Sequence, residues 1–142
     1  MGKGKWSQYL KLAPENLRSR IIHKEPVPEI EKYYSAADIF ALPSIYEPFG
    51  NANLEALATG LPVITTRHCG AADIIQHKLN GLIVENPESA KEIADNINTL
   101  FDPDLRRSMS QNARTLAKNF SPEKNTSEML KTYQEIISTQ DK

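Results

Sequence analysis

One cysteine, three histidines, no excess of either charge and no long apolar run mark this sequence by what it withholds. A lone Cys69 can close no internal disulfide and build no cysteine cluster for a metal, and it suits a reducing compartment. His23, His68 and His77 are scattered, with no pair at ligand spacing on one element, so no metal site is expected. Seventeen Lys and Arg against 18 Asp and Glu leave a net charge of −1. That balance lacks the basic excess that a DNA or RNA backbone demands, and no nucleic-acid partner is expected. Runs such as Ile39–Pro43 and Leu61–Ile64 fall far short of the ~20 apolar residues of a membrane span. Residues 1–20 carry no apolar signal-peptide core. Gly2-Lys-Gly-Lys5 lacks the four-residue spacer and the Ser/Thr of a P-loop.

What is present is 142 residues, 39% hydrophobic and 25% charged, the composition of one soluble globular domain. Charge is uneven along it. Residues 1–35 hold seven cations and four anions, 36–104 three and ten, and 105–142 seven and four. The simplest account is solvated helix faces. A basic C-terminal segment diluted by four anions is a weak signal for an anionic membrane surface.

Turn residues cut the chain into short alternating segments. Trp6–Leu12 reads as a helix, Arg20–His23 as a strand, Pro28–Ala37 as a helix and Asp38–Leu42 as a buried parallel strand. Asn51–Thr59 is helical, with Leu54, Leu57, Ala58 and Leu61 on one stripe and Gly60 as its left-handed terminator. Pro62–Thr66 is a β-branched strand, Ala71–Gln76 a short helix and Leu82–Val84 a strand after the Asn80-Gly81 turn. Asn86-Pro87, Asp102-Pro103 and Ser121-Pro122 each place a capping side chain before a proline and open three further helices. Core packing is the expected use of their apolar stripes, the last being Met129, Leu130, Tyr133, Ile136 and Ile137. The alternation implies an α/β fold, a Rossmann-like parallel sheet with helices on both faces, and a helical C-terminal part over about 87–138 of a single 1–142 domain. Ligands of such sheets sit beyond the carboxyl ends of the strands, here the loops after His23, Leu42 and Thr66.

The loop after Leu42 carries the chemistry. Glu47 lies before Pro48, Gly50 permits close backbone approach, and Glu55 lies one turn inside the following helix. The free amides of Gly50, Asn51 and Ala52, with the helix dipole, suit a phosphate or diphosphate. A carboxylate one turn further in can accept two hydrogen bonds from a vicinal diol such as a ribose. By spacing alone the pair is also compatible with a solvated helix glutamate and an ordinary loop acid.

Ser35–Ser44, Tyr46-Glu-Pro-Phe-Gly50 and Leu54-Glu-Ala-Leu-Ala-Thr-Gly-Leu-Pro-Val-Ile64 together resemble the C-terminal domain of group 1 (family 4) glycosyltransferases. Asn80–Val84 and the helices to Tyr133 continue the resemblance, which covers residues 2–137. It implies the C-terminal, donor-binding half of a GT-B fold and retaining transfer of a sugar from a nucleotide diphosphate donor, with no obligatory metal and no cofactor. Glu47 would be the group nearest the chemistry, against the donor sugar. The amides of Gly50, Asn51 and Ala52 would bind the diphosphate, Phe49 would also bind the donor, and Glu55 would hold the ribose. The donor would be a UDP-, GDP- or ADP-sugar, and the acceptor a glycan or glycolipid held by an N-terminal domain. Cys69–Ile75 most resembles lipopolysaccharide-core and related surface-glycan enzymes, implying polysaccharide biosynthesis, a cytoplasmic location and peripheral contact with the inner face of a membrane. Asn51-Ala-Asn53 stands where the family has small or branched apolar residues, and His23-Lys-Glu25 where it has an apolar pair and glycine. Gly2-Lys-Gly4 resembles the turn after the family domain's second strand, so the first two strands are expected to be missing and the chain to be a fragment, inactive alone. The alternative is a non-catalytic sugar-nucleotide-binding module; another GT-B enzyme, such as an epimerase, lacks this two-glutamate context.

Overall fold

A computed structural model describes residues 6–140; Gly2-Lys-Gly4 lies outside the described residues. Two compact units are distinguished, the first closing at Ile30 and the second opening at Glu31. In the first, α1 (Trp6–Leu10) and α2 (Glu15–Arg18) are joined by a turn. Arg18 Nε donates to Ala13 O at 3.0 Å, and Trp6 stacks on His23 with ring centroids 4.8 Å apart. Residues 20–23, expected as a strand, are not one. Ile21 and Ile22 are 39% and 78% exposed, and among the described residues no strand offers them a ladder. β-branched residues form a strand only where a neighbour takes their backbone groups.

The second unit holds the sheet. Its elements are α3 (Ile30–Ala36), β1 (Phe40–Leu42), α4 (Asn51–Thr59), β2 (Val63–Thr66), a 3₁₀ turn (Gly70–Asp73) and β3 (Gly81–Val84). Then come α5 (Ala90–Thr99), α6 (Pro103–Ala117), a second 3₁₀ turn (Lys118–Phe120) and α7 (Pro122–Gln140). The strands are parallel in the order β1-β2-β3, in register Phe40↔Val63 and Val63↔Gly81. Every residue of β2 and β3 is buried, as expected of parallel strands covered on both faces. Ile64, Leu82 and Val84 pack with Leu100 and Met109, flanked by Ile93, Ile97 and Leu105 of the helices. Glycine at 81 is required by packing, since a Cβ there would lie 2.7 Å from Val63 O.

Three further expectations are corrected. Ala71–Gln76 is no α-helix; a 3₁₀ turn over Gly70–Asp73 stands in its place. α5 is capped by Ser89, whose side chain accepts from Glu92 N, and not by Asn86, whose Oδ1 accepts from Glu88 N in a local turn. The stripe on α7 is not in the core: Met129, Leu130, Tyr133, Ile136 and Ile137 are each about half exposed or more. Asp102 does cap α6, accepting from Asp104 N at 2.9 Å and Leu105 N at 3.2 Å. Gly60 ends α4 at φ +86°, as a left-handed cap requires.

Candidate functional site

The carboxyl ends of β1 and β2 open into two facing loops, residues 43–50 and 67–70, that are laced together. Thr66 Oγ1 donates to Ser44 O at 2.6 Å, fixing the start of the first loop to the end of β2. Glu47 N donates to His68 O at 3.2 Å, Gly70 N to Glu47 O at 3.0 Å and Ala71 N to Phe49 O at 3.1 Å. Glu47 and Cys69 thus form an isolated parallel bridge that continues the sheet beyond its strands. Close approach of the two backbones requires Gly70: a Cβ there would fall on Pro48 O and lie 3.0 Å from Pro48 C and 3.2 Å from Phe49 Cα.

Side chains reinforce this seam. Cys69, 2% exposed, donates its thiol to Phe49 O at 3.2 Å and accepts from Asn53 Nδ2 at 3.3 Å. Asn53 is fully buried in the first turn of α4, and its Oδ1 has no hydrogen-bond partner among the described residues. Gly50 precedes α4 at φ +73°, ψ +71°, with no side chain capping the helix. A Cβ at Gly50 would meet Asn53 Nδ2 at 2.8 Å and Glu47 Cγ at 3.0 Å, so the left-handed turn and the crowding both select glycine. The N-terminal amides of this nine-residue helix, where positive dipole charge concentrates, are left without a side-chain cap.

Glu47 lines a cavity of about 280 Å³ with Tyr46, Arg67, His68, Gly70 and Asp73. Arg67, the arginine of this cavity, is held by Glu85: its Nε donates to Oε2 at 3.2 Å and its Nη2 pairs with Oε1. The contact holds the Glu85 carboxyl below its ordinary range. Glu55 and Asn51 line a separate groove of about 600 Å³, walled by Leu54, Ala58 and Phe120. Glu55 is exposed, and its Oε2 accepts from Tyr34 Oη at 3.0 Å. Burial and this bond push the Tyr34 hydroxyl up to about 12. The structure therefore brings Glu47, Phe49 and Gly50 together at the seam, and sets Asn51 and Glu55 on the groove side of the same helix start. Tyr34, Cys69 and Gly70 touch these candidate residues without being among those the sequence points to. Tyr34 and Cys69 act across 21 and 16 residues, and the one local signal was the small Cys-Gly pair at 69 and 70.

Among the described residues no three of His, Cys, Asp and Glu gather as a metal site would require. His77 Nδ1 accepts from Ile83 N at 3.0 Å, a structural use of that nitrogen. No helix among these residues is long and apolar enough to cross a membrane.

A family model described as glycosyl transferases group 1 matches residues 1–116. The D-inositol 3-phosphate glycosyltransferase of Corynebacterium efficiens is 36% identical over 124 residues, covering 87% of this chain and 29% of that protein. The solved sucrose-phosphate synthase of Thermosynechococcus elongatus superposes with a TM-score of 0.84 at 29% identity, over 94% of this chain and 34% of that one. The Anabaena HepE protein, solved in complex with UDP-glucose, superposes with a TM-score of 0.82 at 25% identity, over 92% and 36%. The chain spans about a third of the length of the relatives it matches.

Proposed function

Because this chain belongs to the group 1 glycosyl transferases, a family shown by the match over residues 1–116, we propose that it supplies the donor-binding surface of a retaining sugar transfer. The donor is a nucleoside diphosphate sugar, and the uridine form has the first claim because the similar HepE structure holds UDP-glucose. One observation carries the reading: a left-handed Gly50 opens α4 without a side-chain cap, beside Glu47 and one turn before Glu55. The amides of Gly50, Asn51 and Ala52 receive the diphosphate, for which uncapped N–H groups and the helix dipole are suited. Glu55 receives the ribose diol from the groove, and Glu47 faces the transferred sugar from the neighbouring cavity. Phe49 contributes through its backbone, since its carbonyl is the point at which Cys69 and Ala71 hold the loop.

In such a transfer the bond from the sugar's anomeric carbon to the diphosphate oxygen breaks, one to an acceptor hydroxyl oxygen forms, and the proton of that hydroxyl passes to the departing diphosphate. The departing diphosphate gathers negative charge, which the α4 amides, fixed before the reaction begins, stabilise without reorganising. Glu47 orients the donor sugar and is not assigned as a nucleophile. The acceptor is a glycan or lipid-linked glycan, in surface polysaccharide or lipopolysaccharide synthesis. No metal is required by this scheme.

Calorimetric titration of the chain with UDP-glucose, GDP-mannose and ADP-glucose tests the reading. Binding of one of them, weakened about tenfold or more by Glu55→Gln, is expected, given the worth of a hydrogen bond to a charged group. Binding of none, or binding indifferent to Glu55, would overturn it.

A further inference from the structure

Glu55 stands exposed on α4, yet it is not free to turn. Its Oε2 accepts from the hydroxyl of Tyr34, 21 residues earlier on α3, at 3.0 Å. Tyr34 is the buried residue of α3, 8% exposed, with its ring edge-on to Phe40 at a centroid distance of 5.6 Å and 75° between planes. A tyrosine has two side-chain torsions, and packing against β1 fixes both, so the hydroxyl is delivered at one place. A carboxylate offers about four lone-pair sites on two oxygens. Tyr34 occupies one of them on Oε2, which leaves the remaining sites of a carboxylate that lines the groove for a ligand.

An exposed glutamate on a helix ordinarily samples several rotamers and must be ordered when a ligand binds. A buried donor that holds one oxygen removes that cost beforehand, which is how preorganisation raises affinity. We propose that Tyr34 is a positioning residue for the nucleotide's ribose, holding Glu55 in the rotamer that accepts the sugar diol and thereby setting the preference for ribose over its deoxygenated forms. This rests on the reading of Glu55 as the ribose ligand. Tyr34 itself touches no substrate. With its hydroxyl pushed up to about 12 by burial and by this bond, Tyr34 remains a donor at neutral pH and well above it.

Tyr34→Phe keeps the ring and its contact with Phe40 and removes only the hydroxyl, so it separates positioning from packing. The 142-residue chain is titrated calorimetrically with UDP, GDP and ADP and with the 2′,3′-dideoxy form of each, and the tightest-binding base is used. Wild type is expected to prefer the ribose form by about tenfold or more, and Tyr34→Phe to shrink that preference about fivefold by weakening the ribose form alone. Glu55→Gln is expected to abolish most of the preference, and the Tyr34→Phe/Glu55→Gln pair to lose no more than Glu55→Gln does. Equal binding of both forms by wild type, or no binding, overturns the ribose reading and the inference with it. A wild-type preference that Tyr34→Phe leaves intact overturns the inference alone. Equal weakening of both forms by Tyr34→Phe, or additive losses in the double variant, identifies a mere brace between α3 and α4 and also overturns it.

Discussion

Gly70→Ala is the sharpest perturbation this fold offers, because the cost is steric and falls on backbone. Gly70 has no positive φ, so alanine brings no torsional strain of its own. Its added carbon would fall on Pro48 O and lie 3.0 Å from Pro48 C, and neither can yield unless the 47–50 loop moves as a unit. Moving it stretches the bonds from Gly70 N to Glu47 O and from Ala71 N to Phe49 O, each contributing about 1 kcal/mol. Overpacking adds about 1–3 kcal/mol, partly in place of those losses, for a total of about 2–4 kcal/mol. For a domain of this size that is a fall in Tm of roughly 10 °C. Gly60→Ala is the control. It pays about 1–2 kcal/mol for a side chain at positive φ, but its carbon meets only the flexible end of Arg114. Urea and thermal unfolding by circular dichroism give the stabilities, and calorimetry with UDP gives the site. Gly70→Ala is expected to be the less stable of the two and to weaken nucleotide binding about tenfold, through displaced Gly50–Ala52 amides. A Gly70→Ala protein within about 0.5 kcal/mol of wild type, binding UDP normally, would refute the claim that the two loops are locked at van der Waals contact.

Cys69→Ala leaves both polar atoms of buried Asn53 without a side-chain partner and should cost about 2–3 kcal/mol in urea unfolding. Cys69→Ser, which can still donate to Phe49 O and accept from Asn53, should cost clearly less, and the reverse order would contradict the seam described. Asp102→Ala should lose about 1 kcal/mol as the cap of α6, whereas Asn86→Ala, at a position that caps no helix, should fall below that by the same measurement. In an ultraviolet titration of the five tyrosines, one should ionise near pH 12 and move only part of the way back toward the ordinary range in Glu55→Gln, because the burial that contributes most to the shift remains. Because that hydroxyl's pKa is raised on folding, its contribution to stability is complete below about pH 10 and is lost between about pH 10 and 12. Five tyrosines ionising together would count against the Tyr34–Glu55 bond.

Legibility from sequence followed the range of the interactions. α4, its Gly60 terminator and β2 could be read because stripe, cap and β-branched run all act within one element. The Glu47–Gly50–Glu55 segment can be proposed as a candidate site from sequence for the same reason, since it lies on one loop and the helix it opens. Ile21 and Ile22 misled because apolar, β-branched residues announce a strand without announcing its partner. The stripe on α7 likewise told which face is apolar but not whether anything covers it. The true start of α5 does carry a local signature. Ser89 and Glu92 stand in a capping-box spacing, and the Glu92 carboxylate accepts from Glu85 N and Asn86 N. Tyr34 and Cys69 could not be reached this way, since their partners come from other elements.

Strand order in this sheet is chain order, and that has a kinetic consequence. The register pairs join residues 23 apart for β1 with β2 and 18 apart for β2 with β3. The difference in loop-closure entropy between them is only about 0.2 kcal/mol, too small to decide which forms first. Burial decides instead: β2 and β3 are covered along their whole length, while β1 leaves Ala41 exposed. The folding nucleus is therefore expected around Ile64, Leu82 and Met109, with β1 and the 43–50 loop docking afterwards. A site assembled late in folding also opens early in unfolding, so amide exchange should reach Glu47 and Gly50 well before it reaches Ile64.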